Sequence, residues 1–197
     1  LAMGQNVIVS PIGVNTDGDD FSSGITLRAN EMYFTADISG DQNLYHAKLK
    51  NGKWEIVEKV DSDVNAGDQN GSATLTPDGQ YMVFASYEHS VDGMGRTDLY
   101  SARKVDGSWT DVQNLGMAVN SKYWDSQPTL TSDGRTLYFV SDRPANKGGT
   151  NIYYTERTRE GWSKAKELTS VNTDSDEMSP FIAADNKTFT YSSNKSR

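Results

Sequence analysis

The sequence predicts an all-β chain, a β-propeller built from four-stranded antiparallel blades. Three observations predict it. A unit of about fifty residues recurs along the 197-residue chain. Each copy keeps its marker residues at constant spacing. Between the markers, short apolar runs alternate with turn dipeptides, the pattern of antiparallel strands rather than helices. About three and a half blades are visible, so the chain reads as part of a larger ring, with a small closed ring or half of an assembled ring as the competing readings.

The markers carry the argument. A Val-Asn pair stands at Val14-Asn15, Val64-Asn65, Val119-Asn120 and Val171-Asn172, with periods of 50, 55 and 52. Nineteen residues after each Asn comes an aromatic: Phe34, Phe84, Phe139 and Tyr191. Tyr45, Tyr100 and Tyr153 are each followed nine residues later by Trp54, Trp109 and Trp162. The repeats run over about 15–63, 65–118, 120–170 and a partial 172–197, in one propeller domain or segment spanning 1–197. Residues 5–13 read as the outer strand of a preceding or closing blade, because Gln5 occupies the Trp register.

Within each copy the first strand is expected at Ile25-Thr26-Leu27, Ala73-Thr74-Leu75, Thr129-Leu130 and Phe181-Ile182. Ala29-Asn30, Asp78-Gly79, Asp133-Gly134 and Asp185-Asn186 then supply the hairpin turn, since Asn, Asp and Gly tolerate positive φ. The second strand is continuously apolar, as in Met82-Val83-Phe84 and Leu137-Tyr138-Phe139, and reads as buried on both faces. The third carries Leu44-Tyr45, Leu99-Tyr100 or Ile152-Tyr153. After Asn51-Gly52, Asp106-Gly107 or Glu160-Gly161, a fourth strand opens on the Trp. Helix is the alternative for Thr155 to Leu168, which is rich in Glu, Lys and Arg, but Gly161 interrupts it. Stacked blades bury their middle strands between neighbours, which is what the continuous apolar runs require.

Composition bounds the partners. Twenty-seven acidic residues against nineteen basic ones leave a net charge of −8. That excess argues against nucleic acid or an anionic membrane. With no Cys there is no disulfide, thiolate zinc site or cysteine nucleophile. No apolar segment approaches the ~18 residues of a membrane span. The opening Leu1-Ala2-Met3-Gly4 is consistent with a trimmed signal peptide or an expression remnant.

The stretch Trp124 to Arg143, with Pro128, Asp133-Gly134 and Phe139-Val140-Ser141, closely resembles the TolB-like, or WD-like, propeller repeat. Copy two keeps Pro77-Asp78-Gly79 and Phe84-Ala85-Ser86. Copy four keeps Pro180 and Ser192-Ser193 but has Asp185-Asn186 at the turn. Copy one diverges most, with Ala29-Asn30 and with Ala36 at the Ser place. The resemblance covers nearly the whole chain. It implies a periplasmic, outer-membrane-associated or secreted bacterial protein whose propeller is a docking platform. It leaves function open, because one fold hosts many activities.

The expected binding surface is one loop face. Copies differ in length chiefly between Phe and Tyr, where the separations are 11, 16 and 14. The loops concerned run from Asp37 to Asn43, Tyr87 to Asp98 and Asp142 to Asn151. In a propeller they share a face with the loops between blades, which are acidic and Asn-rich here. The candidate binding residues are Asp17, Asp19, Asp20, Asp68, Asn70, His89, Arg96, Asp125, Arg143, Asp174, Asp176 and Glu177. Fourteen residues before each anchor aromatic stands Asp20, Asn70, Asp125 or Glu177. That register reads first as an Asx-type turn satisfying backbone N–H groups. Calcium is the sharper alternative, since Asp17-x-Asp19 and Asp174-x-Asp176-Glu177 alternate oxygen ligands, although neither matches the twelve-residue EF-hand loop. No other cofactor or metal is implied.

No catalytic residue stands out. His46 reads as packed or at an edge, and His89 as a loop residue. No Gly-x-Ser-x-Gly elbow or His-Glu-x-x-His motif is present. Paired carboxylates on the loop face remain a route to glycoside hydrolysis. Arg96, Arg143 and Arg157 are cations that an anionic substrate would meet, with dispersed solvated charge as the competing reading. The expectation is a non-catalytic binding or scaffold module of the cell envelope, with a protein or cell-wall glycan as partner. Self-association through open blade edges is expected as well. The alternative is a carbohydrate-active or peptidase-associated enzyme with catalytic groups from converging loops or another domain.

Overall fold

The computed structural model describes residues 13–25, 30–61, 63–145 and 148–195. The outer strand expected over residues 5–13 lies outside them except for Gly13, as do the Thr26-Leu27 end of the first strand and Ala29. Among the described residues every regular element is a strand, so the helix considered for Thr155 to Leu168 does not form. No helix is long and apolar enough to cross a membrane.

The first blade comprises β1 (Asp19–Ile25), β2 (Glu31–Ile38), β3 (Asp41–Lys50) and β4 (Lys53–Lys59). The second comprises β5 (Gln69–Leu75), β6 (Tyr81–Tyr87), β7 (Thr97–Val105) and β8 (Ser108–Asn114). The third has β9 (Asp125–Leu130), β10 (Thr136–Ser141) and β11 (Asn151–Thr158). Its fourth position is split into β12 (Gly161–Trp162) and β13 (Lys166–Glu167), both paired to β11. A two-stranded unit follows, β14 (Glu177–Ile182) and β15 (Phe189–Ser193). Within each blade consecutive strands pair antiparallel.

The turn residues do what their chemistry allows. Asn51-Gly52 and Asp106-Gly107 both take positive φ in the β3–β4 and β7–β8 hairpins. At the other hairpins, Asp78, Asp133 and Asp185 each accept the N–H two residues on, at 3.0, 3.0 and 2.8 Å.

The anchor aromatics occupy equivalent interior places. Phe34, Phe84 and Phe139 are buried and sit opposite Tyr45, Tyr100 and Tyr153 on the neighbouring strand. The three ring pairs repeat one geometry, with centroids 5.9, 5.8 and 5.9 Å apart and planes inclined by 28, 27 and 28°. The core lies mainly between blades. Tyr33 and Leu44 of the first blade pack with Met82, Phe84, Tyr100 and Trp109 of the second. Val83, Ala85 and Leu99 of the second pack with Leu137, Phe139 and Tyr153 of the third. β2 and β6 are therefore buried on both faces over five consecutive residues.

The Val-Asn pair ties each loop to the preceding blade. Asn65, Asn120 and Asn172 each accept the backbone N–H of Leu44, Leu99 and Ile152, at 2.8, 2.9 and 2.9 Å. Each amide also donates to the carbonyl of the same residue, at 3.1, 2.9 and 2.9 Å. One side chain thus satisfies both backbone groups of a buried residue, as burial demands. Asn15 is exposed.

Candidate functional site

Loops between blades and loops between second and third strands meet at one end of the molecule. Asp68 N–H bonds the Tyr87 carbonyl at 2.9 Å, and Asp142 N–H bonds the Trp124 carbonyl at 3.2 Å. A Cβ on Gly95 would stand 2.4 Å from the Ser121 carbonyl oxygen, so the long β6–β7 loop lies against the next inter-blade loop with no room for a side chain there. The expected common face exists.

The repeated acid or amide register is engaged by its own loops. Asp20 accepts Thr16 N–H and hydroxyl at 2.8 and 2.9 Å. Asp125 accepts Ser121 N–H and hydroxyl, both at 2.7 Å. Glu177 accepts Thr173 N–H and hydroxyl at 2.9 and 2.6 Å. Asn70 does the neutral equivalent, accepting Gly67 N–H at 3.2 Å and donating to its carbonyl at 2.8 Å. The Ser two residues after the anchor aromatic completes the set. Ser86 donates to Asn70 at 2.7 Å and Ser193 to Glu177 at 2.8 Å. In the third blade Ser141 instead accepts Arg143 Nε at 2.8 Å, and Arg143 bonds Asp125 directly.

Arg143 is also bonded to the Val119 carbonyl at 2.7 Å and lies over Phe139 and Tyr153. Arg96 is exposed and paired with Asp142. Asp176 accepts Thr150 N–H at 2.8 Å and Asn194 Nδ2 at 2.8 Å, and these bonds hold its pKa below the usual value. Asp17, Asp19, Asp68 and Asp174 are exposed. His89 is buried, with Nδ1 accepting Val91 N–H and Nε2 facing the Asp63 carbonyl at 2.9 Å. That pairing sets the neutral Nε2–H tautomer, and burial pushes its pKa down. His46 is buried and stacked on Tyr33. Among the described residues no three His, Asp or Glu side chains are grouped as a metal would require.

The structure adds residues that sequence reasoning missed. In every first strand one non-Gly residue takes a left-handed conformation: Ser22, Ser72, Gln127 and Ser179, with φ of 51, 52, 52 and 52°. Each sits in a β-bulge. These four residues border a single cavity of about 220 Å³, so the first strands of all four units surround a common axis. Towards the loop end a second cavity, about 200 Å³, is lined by Gln42, Gln69, Tyr87, Thr97, Trp124 and Gln127. Gln42 and Gln69 are also the residues through which β3 meets β5, and Thr97 bridges Trp124 in the same way. A second missed register is the residue before each Leu-Tyr or Ile-Tyr. Asn43, Asp98 and Asn151 are all buried. Burial raises the Asp98 pKa, against the pull of N–H groups from Met94 and Gly95. The signal was a polar residue recurring at one place beside the third-strand apolar pair.

No protein-family model matches the sequence, and no curated protein matches it. Solved structures do. TolB from Acinetobacter baumannii superimposes with a TM-score of 0.60 at 20% identity, over 88% of this chain and 37% of that one. A TolB-type protein from Agrobacterium tumefaciens gives 0.54 at 17%, over 78% and 50%. A puromycin hydrolase, solved as an S511A mutant in complex with PGG, gives 0.55 at 16%, over 94% and 30%. The chain thus spans half or less of each of these structures. The likeness establishes a TolB-like propeller fold.

Proposed function

We propose that this TolB-like propeller segment is a non-catalytic binding or scaffold module of the bacterial cell envelope, engaging a protein or glycan partner through its loop face. The observation that carries this reading is the cavity at the loop end. Gln42, Gln69, Thr97 and Gln127 bring amides and hydroxyls from three consecutive blades beside the rings of Tyr87 and Trp124. Amides offer donors and acceptors together, and half-buried aromatics offer flat apolar contact, the pairing that polar chains and sugars need. The loop acids Asp20, Asp125 and Glu177 support the same reading, because each is committed to its own turn. Asp17, Asp19, Asp68 and Asp174 form the exposed rim, and with Arg96 they would set the charge a partner must match.

The envelope location and docking role rest on the fold shared with TolB proteins. The puromycin hydrolase carries the competing reading, in which a propeller serves an enzyme. Thermal-shift titration against muropeptides, glycans and purified envelope domains separates the two. The expected result is stabilisation by one of them, lost in Gln69→Ala and Trp124→Ala, with the ligand recovered intact. Turnover of any of these ligands by the purified chain would overturn the binding-only reading.

A further inference from the structure

The two complete inter-blade junctions differ at one place on the outer rim. Backbone bonds fix the correspondence: Leu49, Lys104 and Arg157 each donate to the residue just before a second strand, namely Asn30, Gln80 and Arg135. Lys104 and Trp109 of the second blade therefore match Arg157 and Trp162 of the third. At the first junction Lys104 lies 5.7 Å from both the Tyr33 and Trp109 rings. Its charge meets the Glu31 carboxylate at 3.1 Å, and the pair is largely buried. A second carboxylate, Asp61, accepts the backbone N–H of Trp109 at 2.7 Å.

At the second junction the cation stays and both carboxylates go. Arg157 lies 4.7 Å from the Tyr81 ring and 4.9 Å from the Trp162 ring. Tyr81 stands where the first blade has Glu31, and Gly116 stands where it has Asp61. A Cβ on Gly116 would meet nothing within 4 Å. In the vacated space is a groove of about 460 Å³, lined by Tyr81, Arg157, Trp162, Asn114, Gly116 and the exposed Met117. Arg103 also lies over Tyr81, but Asp111 faces it at 3.8 Å, and Glu160 stands at the exposed edge of the groove. Among the described residues no carboxylate pairs with Arg157.

We propose that this groove binds a free organic carboxylate carrying a flat or apolar body. The ligand carboxylate takes the place beside Arg157 that Glu31 takes beside Lys104, and its body lies along Trp162 and Met117. A planar guanidinium stacked between rings keeps its in-plane N–H groups available for a two-point bond to a carboxylate. The groove shares no residue with the loop-end cavity, so it is separate from it and independent of the function proposed there.

The test follows the Trp162 indole N–H by NMR, with Trp109 as internal reference. N-acetyl-phenylalanine represents a peptide terminus, benzoate a small free acid, and N-acetyl-phenylalaninamide the uncharged control. Either carboxylate should shift Trp162 saturably and leave Trp109 unmoved, and the responding probe identifies the source. Arg157→Gln should weaken binding at least about tenfold, the loss expected for a charge-assisted bond. Tyr81→Glu restores the internal carboxylate and should abolish binding while leaving the amide spectrum dispersed. No shift with either acid, an equal shift with the amide, or unchanged binding in a folded Tyr81→Glu variant would each overturn the proposal.

Discussion

Asn120 shows how much one side chain can hold. Its amide bonds the N–H and carbonyl of Leu99, both buried, and also Asn114 Oδ1 at 2.8 Å. Asn120→Ala should cost about 2–4 kcal/mol in urea unfolding, because two buried backbone groups lose their partner. Asn120→Asp should cost at least as much as Asn120→Ala at neutral pH, since its carboxylate would face the Leu99 carbonyl and Asn114 Oδ1 without a donor and bury a charge. The histidines give a pH signature. Burial lowers the pKa of both His46 and His89 below the ordinary 6.5. The unfolded chain then takes up protons first as pH falls, so stability drops below about pH 6.5 until the folded values are passed. The melting temperature should therefore fall on acidification, and the His46→Phe, His89→Phe double variant should flatten that slope. Of these residues, the Asn register was legible in the sequence from its spacing. Its partner was not, because Leu99 lies twenty-one positions away and on the preceding blade.

Among elements, the first strands carry the recurrent strain. A left-handed non-Gly residue costs roughly 1–2 kcal/mol. Here it occurs four times at one register. Gln127→Gly should leave stability unchanged or raise it slightly, apart from the lost bond from Ser179 N–H at 2.7 Å. Gln127→Val should lower stability by about 1–2 kcal/mol, because a β-branched side chain is poorest in that conformation. Differential scanning calorimetry of the pair would separate backbone strain from side-chain loss. Nothing in Ser, Ser, Gln and Ser announces positive φ, so the bulge escaped a reading based on residue type. The hairpins did not escape it, because Asn-Gly and Asp-Gly state their conformation locally.

Across the molecule, burial is unequal. β6 is covered on both sides by neighbouring blades, whereas β15 pairs with β14 alone among the described residues. Phe181 and Tyr191 in that last unit are 58% and 40% exposed. Native-state hydrogen exchange should thus show β6 and β10 opening last and β15 first. Comparable protection in β15 and β6 would mean that something else covers the β15 edge. The same cohesion explains why the blades hold together through single residue pairs at their inner ends, such as Gln42 with Gln69. The apolar layers of Tyr33, Phe84 and Tyr100, and of Val83, Leu137 and Phe139, supply the rest.

The sequence by itself determined the repeat, the strand order within each blade, the buried middle strands and the face where loops gather. These follow from local rules, in which apolar period, turn chemistry and constant spacing act within about fifty residues. Only the tertiary structure decided which polar groups are consumed and which are offered. Asp125 and Glu177 look like ligands in the sequence until their own turns claim them. Arg157 looks like one solvated charge among many until the blade before it supplies a Tyr where its counterpart has a Glu. The reason is physical: a charge's role depends on what faces it across a junction, and that neighbour comes from another repeat.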